Sequence, residues 1–291
     1  MLSRIIVVTL GVVGLLGAQN VRPPQSAVAE GVGALTRDSA WRLVQTIPIR
    51  FRTFHPQGMV KIGTTWFVSS VEVHDRAAGQ GIGHLFKVDS AGNLLHDLAL
   101  GDGPMYHASG IDFDGASIWI ALAEYRPNSR SIIYRVDPGT MKATEMFRVA
   151  DHIGAIVHNT DDGTLHGVSW GSRRFYRWSK TGGEGTSTMN HSHHIDYQDC
   201  KYVGKRRMLC SGVTEVRQSP GAPPFRLGGL EIVDLQQGHA VAQVPVLLWT
   251  SGGLAMTQNP VWLEPSAGGL RAYFVPEDDR STIYVYEVGT Q

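Results

Sequence analysis

The sequence carries no excess charge of either sign: 26 Lys and Arg stand against 26 Asp and Glu in 291 residues. Without a basic surplus there is no electrostatic footprint for nucleic acid and no polybasic attachment to an anionic membrane surface. Cysteine is nearly absent, with only Cys200 and Cys210. The Cys-x-x-Cys spacing is missing, which excludes the thiolate metal centres built on it. No long apolar run follows the N-terminal segment, so no membrane-spanning segment is expected in the mature chain. A phosphate-binding P-loop and a dinucleotide fingerprint are also lacking. Helix-favouring charged runs are scarce, whereas glycine is abundant at 34 residues. That balance points to an all-β chain with many tight turns.

Arg4, followed by the apolar stretch from Ile5 to Leu16, has the layout of a secretory signal peptide. Small-residue cleavage positions fall after Ala18 and after Ala29, the latter closing an Ala27-Val28-Ala29 site. Taking the second divides the chain into a signal peptide over 1–29 and a single domain over 30–291. A secreted or periplasmic location is then expected. In such an oxidising compartment Cys200 and Cys210 can pair across a hairpin, because their spacing leaves room for two short strands and a turn.

An internal repeat decides the fold. A short alternating motif closed by a polar residue recurs five times: Leu85-Phe86-Lys87-Val88-Asp89, Ile133-Tyr134-Arg135-Val136-Asp137, Phe175-Tyr176-Arg177-Trp178-Ser179, Leu230-Glu231-Ile232-Val233-Asp234 and Ile283-Tyr284-Val285-Tyr286-Glu287. The copies are roughly 40 to 55 residues apart, the period of a propeller blade. Period-two alternation marks each copy as a strand, and the Gly92 and Gly139 that follow two of them mark turns. A hairpin precedes every copy, and a fourth strand follows the first four. The fifth copy ends near the C-terminus and lacks its own fourth strand. The segment from Trp41 to Ile49 is an unpaired strand that can supply it. These features predict an all-β, five-bladed β-propeller closed by an N-terminal strand, which leaves no open sheet edge in the ring. The recurring tryptophans, Trp66, Trp119, Trp170 and Trp178, are expected in the core between blades.

Aligned on their first strands, four of the five units place a histidine at or just before the strand start: His55, His107, His152 and His194. The fifth unit has Thr257 or Gln258 there. The first strand of a blade lines the central channel, so these side chains are expected to converge at one mouth of it. Four neutral imidazoles without thiolates suit Fe, Zn or Cu better than Ca or Mg. Glu72, Glu124 and Glu277 end the second strands of blades 1, 2 and 5 and return to the same face. A carboxylate accepting the free N–H of a ligating histidine would orient it. Without a metal, the same pairs are acid–base candidates.

At FHPQGMVKIGTTWFVSSVEV and LFKVDSAGNLLHDL, the first blade resembles glutaminyl cyclases of the propeller type, with Gln57-Gly58 and Val88-Asp89 carrying the likeness. The four-histidine arrangement with glutamate partners resembles, in design only, the iron site of carotenoid-cleavage oxygenases. The chain as a whole is similar to secreted propeller proteins of unknown function. The expected function is an exported metal-dependent enzyme, monomeric and hydrolase- or lactonase-like, acting on a small molecule at His55, His107, His152 and His194. The alternatives are non-haem iron cleavage, glutaminyl cyclase-like transfer and a non-catalytic ligand-binding or scaffold propeller.

Overall fold

The computed structural model describes residues 25–217 and 219–289. Most of the expected signal peptide, 1–24, lies outside the described residues. Five antiparallel sheets, each of four principal strands, form the five blades. Blade 1 runs His55–Ile62, Thr65–Asp75, Gln80–Val88 and Leu94–Leu100. Blade 2 runs Met105–Ala108, Ile118–Glu124, Ser131–Val136 and Ala143–Val149, with the short Asp112–Phe113 extending its inner strand. Blade 3 is built from Ile153–Asn159, Thr164–Ser169, Arg174–Ser179 and Gly182–Met189. Blade 4 is built from Asp196–Tyr202, Arg207–Val216, Phe225–Asp234 and His239–Val246. Blade 5 combines Val261–Ser266, Gly269–Phe274 and Thr282–Gly289 with Trp41–Pro48 from the other end of the chain.

That last pairing bears out the expected closure. Trp41 lies opposite Val288 and Pro48 opposite Thr282 in an antiparallel register. Arg42 forms an ion pair with Glu287, and the Trp41 ring meets Phe274 edge-on at 5.9 Å. Each repeated motif is the third strand of its blade. Burial falls outward across a blade: Ile118–Glu124 is buried throughout, whereas Leu94–Leu100 is largely exposed. Core side chains interdigitate between neighbouring sheets, and Trp66, Trp119 and Trp178 lie there as expected.

Four inner strands carry a register shift, at Pro56/Gly58, Met105/His107, Ile153/Ala155 and Tyr197/Asp199. Such bulges bend a strand and re-aim its side chains. They let the backbones of several blades meet on the axis. A Cβ at Gly58 would stand 2.5 Å from the Ile111 nitrogen, and one at Gly110 would stand 2.7 Å from the Gln198 carbonyl oxygen. Only glycine permits this approach. The Asp199 carboxylate then accepts the N–H groups of Met59 at 3.0 Å and Ile111 at 3.1 Å and pairs with Lys201. One side chain of blade 4 therefore ties blades 1 and 2 across the axis. The channel is pinched at this depth, and its histidine-bearing mouth is a short cavity.

Two further features bear on the fold's stability. Cys200 and Cys210 form a disulfide between directly opposed residues of the first two strands of blade 4. The helix Gln25–Ala34 packs Val28, Ala29 and Val32 into the core of blades 4 and 5. The expected domain start at residue 30 falls inside this helix. Among the described residues, no helix is long and apolar enough to cross a membrane.

Candidate functional site at the channel mouth

His55, His107 and His152 line one cavity of about 230 Å3. Gln57, Tyr125, Trp170, Asp196 and Gln198 complete most of its wall. At ~30 Å3 per water molecule this space holds about eight waters. It is smaller than the ~300 Å3 at which pockets for drug-sized ligands begin.

The tautomers of two histidines are set by their neighbours. His55 donates Nδ1–H to the Asp278 carboxylate at 2.9 Å, and Asp278 also accepts from Asn259 at 3.0 Å. Burial pushes the Asp278 carboxyl up, but the bonds from His55 and Asn259 outweigh it and hold the group below the usual aspartate range. His152 donates Nδ1–H to the Glu124 carbonyl oxygen at 2.9 Å. In both rings Nε2 is left as the lone-pair nitrogen. Burial lowers the pKa of His152 despite that carbonyl.

His107 differs. Its Nδ1 is buried without a hydrogen-bond partner. Its ring is 6% exposed, lies 4.1 Å from the Tyr125 ring and 5.0 Å from that of His152. Burial, then the imidazoles of His152 and His55 and the Arg76 guanidinium, hold its pKa well below the ordinary histidine value. His107 is therefore neutral at pH 7. Gln57, 3% exposed, also has a buried side-chain nitrogen, Nε2, without a partner. Two orphaned polar atoms thus belong to residues of the same cavity. A buried polar atom left unpaired costs about 1–3 kcal/mol, and both nitrogens are closed to solvent in this arrangement.

His194 departs from the expected ring. It precedes its strand by two residues, and Asp196 takes the wall position in blade 4. Its Nδ1–H instead bonds the fully buried Glu231 at 3.2 Å. Glu231 also accepts from Ser192 at 2.8 Å, from Gln243 at 3.0 Å and from the Tyr197 hydroxyl. Aligned on the inner-strand bulges, Asp196 is the equivalent of His55 and His152, and no spacing rule marks the bulge in the sequence.

The three expected carboxylates do not bond the cavity histidines. Glu72 lies against His74 at 3.2 Å and His84 at 3.4 Å. Glu124 pairs with Arg126 and with Arg130, the latter at 2.7 Å; only its backbone oxygen reaches His152. Glu277 accepts from the Tyr284 hydroxyl at 2.5 Å and from Thr282 N at 3.1 Å. The carboxylate that orients His55 is the next residue, Asp278. Among the described residues, no three His, Cys, Asp or Glu side chains are grouped closely enough to hold a metal ion.

Several site residues went unread in the sequence. Trp170 lies at the cavity wall, outside the inter-blade core, with its ring 4.7 Å from His152. Tyr125 and Trp170 each directly follow the second strand of their blade, a shared position that could have singled them out. Residues 167–171 read Gly-Val-Ser-Trp-Gly, the spacing of a nucleophile elbow. The strand–turn–helix setting of that motif is absent here. Ser169 has extended backbone, and its hydroxyl accepts from Arg174 N at 2.9 Å and contacts the Trp170 carbonyl at 3.4 Å. Its hydroxyl makes no hydrogen bond to a described histidine.

A search of the curated proteins finds no match. Solved structures with a similar fold include the Malassezia sympodialis allergen Mala s 1, at TM-score 0.53 and 9% identity over 84% of this chain and 97% of that one. A hypothetical protein from Leishmania major has TM-score 0.50 and 10% identity over 84% of this chain and 90% of that one. The tail fibre of Staphylococcus aureus phage P68 has TM-score 0.51 and 9% identity over 87% of this chain, which spans only 53% of the fibre chain. At such identities the likeness shows the propeller fold alone. A family match extends over nearly the whole propeller: residues 24–290 place the chain in DUF6454, a family of unknown function.

Proposed function

We propose that this chain is an exported propeller that binds a small polar molecule in its channel mouth, with His55 placed as a general base. The carrying observation is the cavity of about 230 Å3 lined by His55, His107 and His152, with His55 held through Nδ1 by the Asp278 carboxylate. The His55–Asp278 pair supports the acid–base part. A proton taken by His55 Nε2 from a bound hydroxyl or water leaves an imidazolium stabilised by the Asp278 carboxylate. Export is supported by the apolar N-terminal segment and by the disulfide, which persists in an oxidising compartment.

A second reading is a transition-metal centre of Fe, Zn or Cu with hydrolase- or lactonase-like chemistry. It is favoured by the Nδ1 bonds of His55 and His152, which leave Nε2 open on both rings, as second-shell bonds do in metal sites. His55, His107 and His152 would then be the ligands, after a shift of side chains, and His194 would not. The test purifies the mature chain without chelators or a His tag, measures bound metals by mass spectrometry, and screens acids, alcohols and amides of under about ten non-hydrogen atoms by thermal shift. Stabilisation that is lost in Gln57→Ala and His107→Ala, without stoichiometric metal, supports the small-ligand reading. One equivalent of metal, lost in His107→Ala/His152→Ala, replaces it with the metal reading. Neither result overturns both.

A further inference from the structure

A groove of about 470 Å3 lies between blades 3 and 4 and shares no residue with the channel mouth. The neighbouring wedge, between blades 4 and 5, is apolar and filled by the helix Gln25–Ala34. The groove between blades 3 and 4 is instead lined largely by polar side chains. Independently of the reading given for the channel mouth, we infer that this groove binds a neutral saccharide, whose adjacent hydroxyls are met by His166, Arg177 and Thr186.

These three side chains form one row across blade 3. His166 lies opposite Arg177 in the second and third strands, and Arg177 lies opposite Thr186 in the third and fourth. Directly opposed residues put their side chains on one face, about 5 Å apart. The imidazole is fixed as an acceptor. Burial pushes the Asp162 carboxyl up, but the bonds from Thr164 and the Arg177 charge hold it below the usual aspartate range. This carboxylate accepts from the Thr164 hydroxyl at 2.5 Å. The hydroxyl hydrogen is thereby committed, so Thr164 Oγ1 accepts Nε2–H of His166 at 2.9 Å. Burial keeps the ring neutral at pH 7. Nδ1 therefore carries the lone pair. It bonds no described residue, and unlike Nδ1 of His107 it is not closed to solvent.

A lone pair there needs a donor, and a carboxylate or phosphate would set lone pair against lone pair. Beside it the half-exposed Arg177 guanidinium offers only donors. Two adjacent hydroxyls donate to the first and accept from the second. A peptide backbone turns its N–H and C=O to opposite sides, whereas His166 and Arg177 stand on one wall. The formal charges of the groove cancel, Arg177 and Arg206 against Asp162 and Asp234, so neither sign of ligand is favoured. Phe175 and Met208 line the same groove and offer apolar surface to the C–H face of a sugar ring. The volume lies within the ~300–1,000 Å3 of small-molecule sites, the size of a mono- or disaccharide.

The experiment titrates the purified mature chain with glucose, galactose, mannose, N-acetylglucosamine and cellobiose, and with glucuronate, inorganic phosphate and trialanine as controls. Binding is read by calorimetry and by the histidine imidazole nitrogens in NMR. At least one neutral sugar is expected to bind with millimolar or tighter affinity, moving the Nδ1 signal of His166 and leaving that of His55 in place. Thr186→Trp, which fills the groove from the exposed outer strand, should abolish binding. His166→Phe, which keeps a ring and removes the acceptor, should weaken it by ~10-fold or more. Each variant is checked by its melting curve. Binding of no neutral sugar overturns the assignment, as does binding of glucuronate, phosphate or trialanine alone. A sugar that binds equally well to folded Thr186→Trp, or that leaves the His166 signal unmoved, lies elsewhere and overturns it too.

Discussion

Glu231 is the most informative residue to perturb outside the cavity. Its carboxylate is fully buried in the third strand of blade 4 and accepts four hydrogen bonds, from Ser192, His194, Gln243 and Tyr197. Ser192 and His194 lie on the segment that leads into the inner strand of the same blade, and Tyr197 lies in that strand. Burial alone would push the carboxyl up, but the bonds from His194, Tyr197, Ser192 and Gln243 hold it below the usual glutamate value. Glu231→Gln keeps the shape and one acceptor oxygen and removes the charge. Four charge-assisted bonds become neutral ones or are lost, at about 1 kcal/mol each and not additively, so about 2–4 kcal/mol is expected at pH 7. At 2–4 °C per kcal/mol this lowers Tm by roughly 5–15 °C. The sign of the pH dependence follows from the depressed folded pKa. The carboxylate's contribution is present above the unfolded value of ~4.3 and is lost as pH falls through the folded value. Urea denaturation followed by tryptophan fluorescence, at pH 7 and again near pH 3.5, reads both effects. The gap between wild type and Glu231→Gln should narrow at the lower pH. A loss below about 1 kcal/mol at pH 7, or a gap that does not narrow, would refute this account.

Three other outcomes are expected. His166, whose pKa burial lowers to about 4, is neutral in the fold but charges on unfolding below pH ~6.5. Stability should therefore fall between pH 6.5 and 4 by up to about 3 kcal/mol, and His166→Gln should flatten that slope in acid titrations followed by circular dichroism. Cys200→Ser/Cys210→Ser should lose about 2–3 kcal/mol in urea denaturation, the loop-closure entropy of a disulfide spanning ten positions. On the proposed export, the mature chain should begin after Ala18. Cleavage after Ala29 would remove Gln25 to Ala29 and strip the buried Val28 and Ala29 from the core. Intact-mass measurement of the protein from its native host reads the start site, and a chain beginning at Glu30 should be less stable by about 2 kcal/mol.

The ring of blades was legible because it is a one-dimensional property. Alternating strands recur at a blade's length, and a missing fourth strand at one end is matched by a spare strand at the other. The histidine register was legible for His55, His107 and His152 for the same reason. What the sequence did not determine lies within a residue or two of what it did. Asp278 orients His55, whereas the neighbouring Glu277 bonds Tyr284. Asp196, two residues after His194, takes the wall position in blade 4, at the same distance before the bulge as His55 and His152 in theirs. Strand side chains alternate with period two, so a shift of one residue exchanges a channel-facing group for one in the sheet interior. Blade count depends on the repeat and is insensitive to such shifts. The partners of each imidazole depend on where inner strands bulge so that Gly58 and Gly110 can meet on the axis, and only the tertiary structure decides that.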